Sequence, residues 1–145
     1  MTYSPVSKQY HSDLIVEEAQ NGWRIVRLNR PKSLHALDET IASALLEVFE
    51  DFHHDDNVKA IWFDSTTPKA FCAGGDVRKL RQLVINDEVA TANKFFEQEY
   101  ALDLLLHNYA KPVLVWGEGY VMGGGLGLFM AAPFRLVTPY SRLAM

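Results

Sequence analysis

The sequence predicts an α/β fold, because strand-like and helix-like segments alternate along its 145 residues. Near the start, two runs of mainly apolar residues, 13–18 and 23–29, flank Gln20-Asn21-Gly22. Asn-Gly between such runs is a strong β-hairpin signal, since both residues tolerate positive φ. The alternation continues with helical patterns over 38–54 and 91–109 and with strand-like runs at 59–64, 113–116, 134–138 and 142–145.

The two long helices follow from their residue patterns. Between 38 and 54 the large apolar residues recur at steps of three and four, which places them on one helical face: Ile41, Leu45, Val48, Phe49 and Phe52. Asp38 fits the N-cap position of this helix. The segment 91–109 contains no Gly or Pro, and Lys111-Pro112 ends it.

Shorter elements are expected around the glycine-rich segments. The strand KAIWFD at 59–64 leads through the turn residues 65–68 into AFCAGGDVRKL, where a helix begins near Asp76. A short buried helix is expected over 126–132, after the glycine cluster at 117–127.

Composition limits the class of protein. With 48% apolar and 22% charged residues, the chain has the make-up of one globular domain. The net charge of −4 without a basic block argues against nucleic-acid binding. A single Cys72 and the lack of zinc-like Cys/His spacing argue against disulfides and structural metal.

No targeting signal is evident in the sequence. The first fifteen residues resemble neither a secretory nor a transit signal, and the apolar-rich stretch 120–133 is shorter than the roughly 18 to 20 residues of a membrane span. We therefore expect a cytoplasmic protein without membrane contact.

The end of the sequence is apolar and strand-like, with Leu143-Ala144-Met145 as its last residues. A strand at this place leaves an open sheet edge and an unfinished core. We therefore expect residues 1–145 to be the truncated, amino-terminal part of a single domain, with its core in 12–145 and with 1–11 loosely ordered.

Two glycine-rich turns are expected to follow strands and precede helices: Ala73-Gly74-Gly75-Asp76 after KAIWFD, and Met122-Gly123-Gly124-Gly125 after PVLVWGEG. Glycine lets a backbone approach a ligand closely, and a helix N-terminus adds partial positive charge. If the turns converge, their N–H groups form an oxyanion hole, which stabilises negative charge on a carbonyl oxygen. The alternative is that the glycines only permit tight turns and close packing.

Phosphate-binding motifs do not fit these glycines. Gly117-x-Gly119-x-x-Met122 lacks the third glycine of a dinucleotide fingerprint, and the acidic residue expected about 20 positions later falls near Pro139. The sequence contains no Gly-Lys-Ser/Thr, so a P-loop is excluded.

Glu99 is the most informative single residue. It falls on one helical stripe with Phe95, Leu102 and Leu106. A carboxylate on a buried face is costly unless it is paired or used, so Glu99 is a candidate to line a ligand cavity. The alternative is that Glu99 lies at the edge of the stripe and reaches solvent or pairs with Lys94. Asp103, four residues later, is compatible with a solvent-exposed side of the helix.

Other reactive residues carry weaker hypotheses. Cys72 as a nucleophile would need His35, His53 or His107 as its base, and the sequence gives no support for their proximity. The run His53-His54-Asp55-Asp56 fits a solvated helix end better than a metal site. Asp76 is expected to cap the helix that it precedes.

Three segments together resemble a known family. They are NRPKSLHAL at 29–37, KAFCAGGD at 69–76 and GYVMGGG at 119–125, in this order and at suitable spacing. The pattern is similar to the enoyl-CoA hydratase/isomerase, or crotonase, superfamily, and it extends over about 12–145. The resemblance implies a crotonase-like ββα spiral and an oxyanion hole that binds a coenzyme A thioester.

The resemblance also implies roles for individual residues. The oxyanion-hole amides are those of Gly75 and Gly124, and Glu99 lies at the substrate site. His35 stands where the family usually has Asn. The implied contacts with substrate and its coenzyme A portion are Lys32, Ser33, His35, Ala36 and Leu37 in one segment, Ala73, Gly74, Asp76 and Val77 in the second, and Gly123 in the third.

Within the superfamily, CAGGDV, the pair Glu99-Tyr100 and GLGL after the triple glycine most resemble the 3-hydroxyisobutyryl-CoA hydrolase subgroup. This implies hydrolysis of a short branched 3-hydroxyacyl thioester in valine breakdown, with coenzyme A as part of the substrate and no separate cofactor. Hydratases of the family carry a Glu at the position of Gly127, which argues against a two-glutamate hydratase.

The resemblance implies that the remaining catalytic carboxylates of the subgroup follow an Ala-Met like Ala144-Met145. We therefore expect the 145-residue chain alone to have little or no turnover. A homo-oligomer, such as a trimer, is typical of the superfamily. Two alternatives stay open: an enoyl-CoA hydratase or isomerase of the same fold, and a domain that binds acyl-CoA or a partner chain without catalysis.

Overall fold

The structure is a computed structural model that describes residues 2–145, and this part of the chain contains two β-sheets and four α-helices. The helices are α1 (Glu39–His54), α2 (Val77–Ile85), α3 (Val89–His107) and α4 (Gly124–Ala131). The strands are β1 (Ser4–Pro5), β2 (Leu14–Glu18), β3 (Trp23–Leu28), β4 (Ala60–Ser65), β5 (Ala70–Cys72), β6 (Val113–Gly117), β7 (Tyr120–Met122), β8 (Phe134–Val137) and β9 (Arg142–Ala144).

The larger sheet has the strand order β1-β2-β3-β4-β6-β8, and the smaller sheet has the order β5-β7-β9. The first three strands of the larger sheet are antiparallel, and the pairs β3–β4, β4–β6 and β6–β8 are parallel. Both pairs of the smaller sheet are parallel. The predicted α/β fold is confirmed.

The predicted hairpin is also confirmed. β2 and β3 pair in register from Leu14↔Leu28 to Glu18↔Arg24. The connection turns through Asn21 (φ 61°) and Gly22 (φ 80°), the two residues whose tolerance of positive φ predicted it.

The segment 1–11 has one strand in its described part. β1 pairs with β2 through Ser4↔Glu18, and the side chains of Lys8 and Tyr10 donate hydrogen bonds to Asp51 on α1 (2.7 and 2.8 Å). Met1 lies outside the described residues.

Buried aromatic rings join the two sheets. Phe63 of β4 lies between Phe49 of α1 and Phe71 of β5, with ring centroids 5.3 and 5.2 Å apart in edge-to-face arrangements. All three side chains are fully buried. Such aromatic pairs add to the stabilisation from burial, so the core fixes the small sheet against the large one.

No helix within residues 2–145 is both long and apolar enough to cross a bilayer.

Candidate oxyanion site

The two glycine-rich turns lie side by side because they follow neighbouring parallel strands. β5 pairs with β7 through Ala70↔Tyr120 and Cys72↔Val121, so the carboxyl ends of both strands meet at one edge of the small sheet. A Cβ placed on Gly74 would lie 3.3 Å from the Gly124 nitrogen. The turns that the sequence places almost 50 residues apart are therefore in contact.

Two of the glycines are required by backbone geometry. Gly74 has φ +98°, and a Cβ at this position would also lie 2.8 Å from the Met122 carbonyl oxygen. Gly123 has φ +53° and ψ −127°, a conformation that L side chains rarely adopt. Glycine is thus needed both for the shape of each turn and for their close approach.

The amides of Gly75 and Gly124 are free donors, since neither gives a hydrogen bond to another residue of the described chain. The amides beside them are occupied: Gly74 N–H donates to Cys72 Sγ (3.4 Å), and Gly123 N–H donates to the Ala144 carbonyl (3.1 Å). Gly124 is also the first residue of α4, where the helix dipole contributes partial positive charge. The pair is suited to donate hydrogen bonds to an oxygen that gains negative charge.

Glu99 lies against Gly124, the residue that carries one of these amides. It belongs to the buried face of α3 and is only 6% exposed. A Cβ on Gly124 would overlap its Oε1 and lie 2.9 Å from its Cδ. Burial raises the pKa of this carboxyl. The carboxylate therefore lies beside the N-terminus of α4, and no ion pair joins it to Lys94 in the described chain.

Asp103, which the sequence left compatible with a solvated helix face, belongs to the same region as Glu99. It follows Glu99 by one turn of α3, and its Oδ2 would lie 3.1 Å from a Cβ on Gly127 of α4. Its Oδ1 is buried without a hydrogen-bond partner among residues 2–145. Burial and the charge of Glu99 raise the pKa of Asp103 to about 7. This side of α3 thus packs against α4 and is not a solvent-exposed face.

Backbone hydrogen bonds join the first two segments that are implied to contact coenzyme A, 32–37 and 73–77. Leu37 N–H donates to the Gly74 carbonyl (2.8 Å), Asp76 N–H donates to the Leu37 carbonyl (2.7 Å), and Ala73 N–H donates to the Leu34 carbonyl (3.0 Å). The first segment therefore runs along the turn that carries Gly75. The structure places both segments and the free amides in one region.

Side chains in these segments differ in what they offer a ligand. Lys32 and Val77 are exposed, and Ser33 is half-buried. Ala36 and Leu37 are buried, so only their backbone is available to a ligand.

Asp76 is occupied by the fold itself. Its side chain accepts a hydrogen bond from Lys79 N–H (3.1 Å), which confirms it as the N-cap of α2, and it pairs with Arg30 (2.8 Å). Burial alone would raise the pKa of Asp76, but these two contacts lower it.

His35 is a structural residue through its side chain. It is 1% exposed, the Arg30 N–H donates to its Nδ1 (3.0 Å), and its Nε2 lies 2.7 Å from Thr67 Oγ1. Because Nδ1 accepts a hydrogen bond, the ring is neutral and Nε2 carries the proton. Burial lowers the pKa of His35, in agreement with the neutral form. Any contact with a ligand at this position would come from the backbone.

Cys72 is fully buried, and burial raises its pKa to about 12. Its thiol is therefore neutral, which disfavours a role as nucleophile. Among the described residues, no group of three or more His, Cys, Asp or Glu side chains is arranged to hold a metal ion.

The mixed larger sheet, the parallel smaller sheet and the adjacent glycine turns form a fold of the crotonase type. The sequence profile of the enoyl-CoA hydratase/isomerase family matches residues 23–145, and the chain belongs to this family.

The individual relatives include both proteins named as hydrolases and proteins named as ribosomal subunits. The chain is 36% identical over 134 residues to a probable 3-hydroxyisobutyryl-CoA hydrolase 3 of Arabidopsis thaliana, covering 92% of this chain and 35% of that protein. It is 32% identical over 134 residues to the small ribosomal subunit protein mS47 of Schizosaccharomyces pombe, covering 92% and 31%.

Among solved structures, a carnitinyl-CoA dehydratase from Mycobacterium thermoresistibile matches with a TM-score of 0.87 and 31% identity, over 93% of this chain and 39% of that one. The chain spans about a third of the length of the curated relatives that it matches.

Proposed function

We propose that the protein is a coenzyme A thioester hydrolase that acts on a short 3-hydroxyacyl-CoA of the 3-hydroxyisobutyryl type. The observation that carries this proposal is the pair of free amides, Gly75 and Gly124, beside the buried carboxylate of Glu99. Similarity to proteins named 3-hydroxyisobutyryl-CoA hydrolase supports the choice of substrate.

In the proposed mechanism the thioester oxygen accepts hydrogen bonds from both amides. Water loses a proton to a base and adds to the carbonyl carbon, a C–O bond forms, and the thioester oxygen becomes the oxyanion. When the carbonyl re-forms, the C–S bond breaks, and coenzyme A leaves as the thiolate and takes up a proton. Loss of one such donor typically costs about 2.7 to 4 kcal/mol of transition-state stabilisation.

Glu99 is the group proposed to orient the attacking water. Its carboxylate has no partner within the described chain, so its oxygens are available to accept a hydrogen bond from water. Its position beside Gly124 supports this role, because the proposed oxyanion hole includes the Gly124 amide. A carboxylate there can also take the proton that water loses.

The reaction is tested on the full-length protein by measuring thiol release from 3-hydroxyisobutyryl-CoA in parallel with hydration of crotonyl-CoA. We expect thiol release and at most slight hydration, because Gly127 offers no carboxylate where the family's hydratases carry one. Hydration without thiol release would overturn the proposal in favour of a hydratase.

The role of Glu99 is tested with Glu99→Gln, which keeps the shape and removes the charge. We expect kcat for thiol release to fall by about 10² or more, because a general base contributes on this scale. Glu97→Gln, an exposed change on the same helix, is the matched control and should leave kcat unchanged. Equal kinetics in the two variants would remove Glu99 from the mechanism.

A second candidate is a domain that binds acyl-CoA or a partner chain without catalysis. The similarity to ribosomal proteins named mS47 supports it, since those relatives match this chain about as well as some hydrolases do. Measurable binding of an acyl-CoA without thiol release or hydration would favour this candidate.

A further inference from the structure

Two carboxyl groups face the same glycine-lined side of α4. Glu99 lies against Gly124, and Asp103, one helical turn further along α3, lies 3.1 Å from the space a Gly127 side chain would enter. Glu99 is more than nine-tenths buried and unpartnered, and Asp103 Oδ1 is a buried acceptor without a donor in the part of the chain described. Burying both carboxyl groups in their charged form would cost free energy, because each is desolvated and the two charges repel each other.

The two positions differ in how well they stabilise an anion. Glu99 lies at the N-terminus of α4, where the Gly124 amide is free and the helix dipole favours negative charge. Asp103 lies beside Gly127, whose amide already donates to the Gly123 carbonyl (3.1 Å). The negative charge is therefore more stable on Glu99, and a proton is more stable on Asp103.

Few other charges face the pair. α4 contains no titratable residue, and the group presented from β5 is the neutral thiol of Cys72. On α3 the next residue along this side, His107, is exposed. Glu99 itself is the only charged group that affects the pKa of Asp103 within residues 2–145.

The neighbouring helices direct their charges elsewhere. On α2, Lys79 is bound to Asp38 (2.9 Å), and Arg78 is exposed. α1 packs against a different side of α3, where Glu47 and Lys94 line a shared cavity. No cation from either helix bonds to the pair in the described chain.

We propose that Asp103 holds a proton while Glu99 stays ionised beside the oxyanion site, so that the pair carries a single negative charge. Asp103 is a positioning residue that acts through Glu99, and its effect on rate rests on the proposed function. When Asp103 also ionises, a second negative charge faces the developing oxyanion and opposes its formation. The pKa of Asp103, near 7, puts this change within reach of measurement.

The proton on Asp103 can be observed without any substrate. Carbon-13 NMR of the protein labelled at aspartate and glutamate carboxyl carbons follows each group from pH 4 to 9. We expect one aspartate resonance with a midpoint near 7 that is absent in Asp103→Asn. In Glu99→Gln this midpoint should fall by about one pH unit, because the neighbouring charge is gone.

The consequence for the reaction is tested on the pH profile of thiol release by the full-length protein. Wild-type kcat should decline as pH rises through the same midpoint, and this decline should be absent in Asp103→Asn. Glu97→Gln is the control and should retain the wild-type profile. A profile unchanged by Asp103→Asn would overturn the effect on rate.

The two proposals fail in different ways. A coupled midpoint near 7 without thiol release or hydration would reject the hydrolase and keep the proton on Asp103. Thiol release together with aspartates that all titrate below pH 5, or a midpoint that does not move in Glu99→Gln, would reject the proton on Asp103 and keep the hydrolase.

Discussion

At the scale of single residues, Gly124 is the position on which the candidate site depends most. Its nitrogen is one of the two free donors, and the space beside its Cα is filled by the carboxyl group of Glu99. Any side chain at this position would displace Glu99 or the start of α4. The sequence predicted the importance of both residues, but their contact depends on how α3 packs against α4, which no local pattern encodes.

Asp103 shows where residue-level reasoning was insufficient. An acidic residue one turn from Glu99 is compatible with a solvated helix face, and helical periodicity does not distinguish that case from a buried pair. The deciding feature is Gly127, which leaves room on α4 for a carboxyl group from α3. This signal is present in the sequence only as a glycine within a helix.

His35 makes a residue-scale prediction about pH. Its pKa is lowered in the folded state, so at pH values below the unfolded pKa of about 6.5 the unfolded chain binds more protons. Its contribution to stability is therefore complete above about pH 6.5 and is lost as pH falls further. Urea unfolding at pH 7.5 and 5.5 should show a loss of stability in the wild type.

His35→Asn is the matched variant, because Asn can accept the Arg30 N–H and does not titrate. We expect the stability difference between pH 7.5 and 5.5 to shrink in this variant. The same difference in both proteins would show that His35 is not the group responsible.

At the scale of elements, the long helices and the hairpin could be predicted, whereas β5 and β7 could not. α1 and α3 are long enough for their apolar residues to show a helical period. The hairpin is predicted by the local dipeptide Asn21-Gly22. β5 and β7 have three residues each and lie beside glycines, so they are too short to show the alternation of apolar and polar residues that indicates a strand. α4 begins at Gly124, two residues before the predicted start, because glycine is a poor helix former that tertiary contacts override.

The cap of α1 gives an element-scale prediction. The Asp38 side chain accepts hydrogen bonds from Thr40 N–H (3.0 Å) and Ile41 N–H (2.9 Å), and it pairs with Lys79 of α2 (2.9 Å). Asp38→Ala should lower the free energy of unfolding by about 1 to 2 kcal/mol, the usual cost of losing such a cap. Lys79→Ala keeps the cap and should cost less than about 1 kcal/mol, because the pair is partly exposed.

The same contact has a pH signature. Burial alone would raise the pKa of Asp38, but Lys79 and the Ile41 amide lower it to about 2. The stabilisation of the fold by the ionised Asp38 carboxylate is then complete above about pH 4 and is lost as pH falls toward 2. Urea unfolding of wild type and Asp38→Ala at pH 7 and pH 3 should show a smaller difference at pH 3; an equal difference would contradict the assignment.

At the scale of the whole molecule, the site depends on how the two sheets are joined. Parallel pairing of β5 with β7 brings residues 73–76 and 123–124 to one edge, and the Phe63–Phe71 contact holds that edge against the larger sheet. The glycine turns were visible in the sequence and the α/β class could be predicted. Their convergence required a pairing between segments about 50 residues apart, for which the residues alone carry no local signal.

The most direct measurement of the central claim is the response of two backbone amides to a bound ligand. The probe is a non-hydrolysable coenzyme A analogue whose carbonyl replaces the thioester, added to ¹⁵N-labelled protein with binding followed by calorimetry. We predict that the amide protons of Gly75 and Gly124 both shift downfield at saturation, while those of Gly22 and Gly117 do not move. Binding that leaves either of the first two amides unshifted would contradict a shared oxyanion hole.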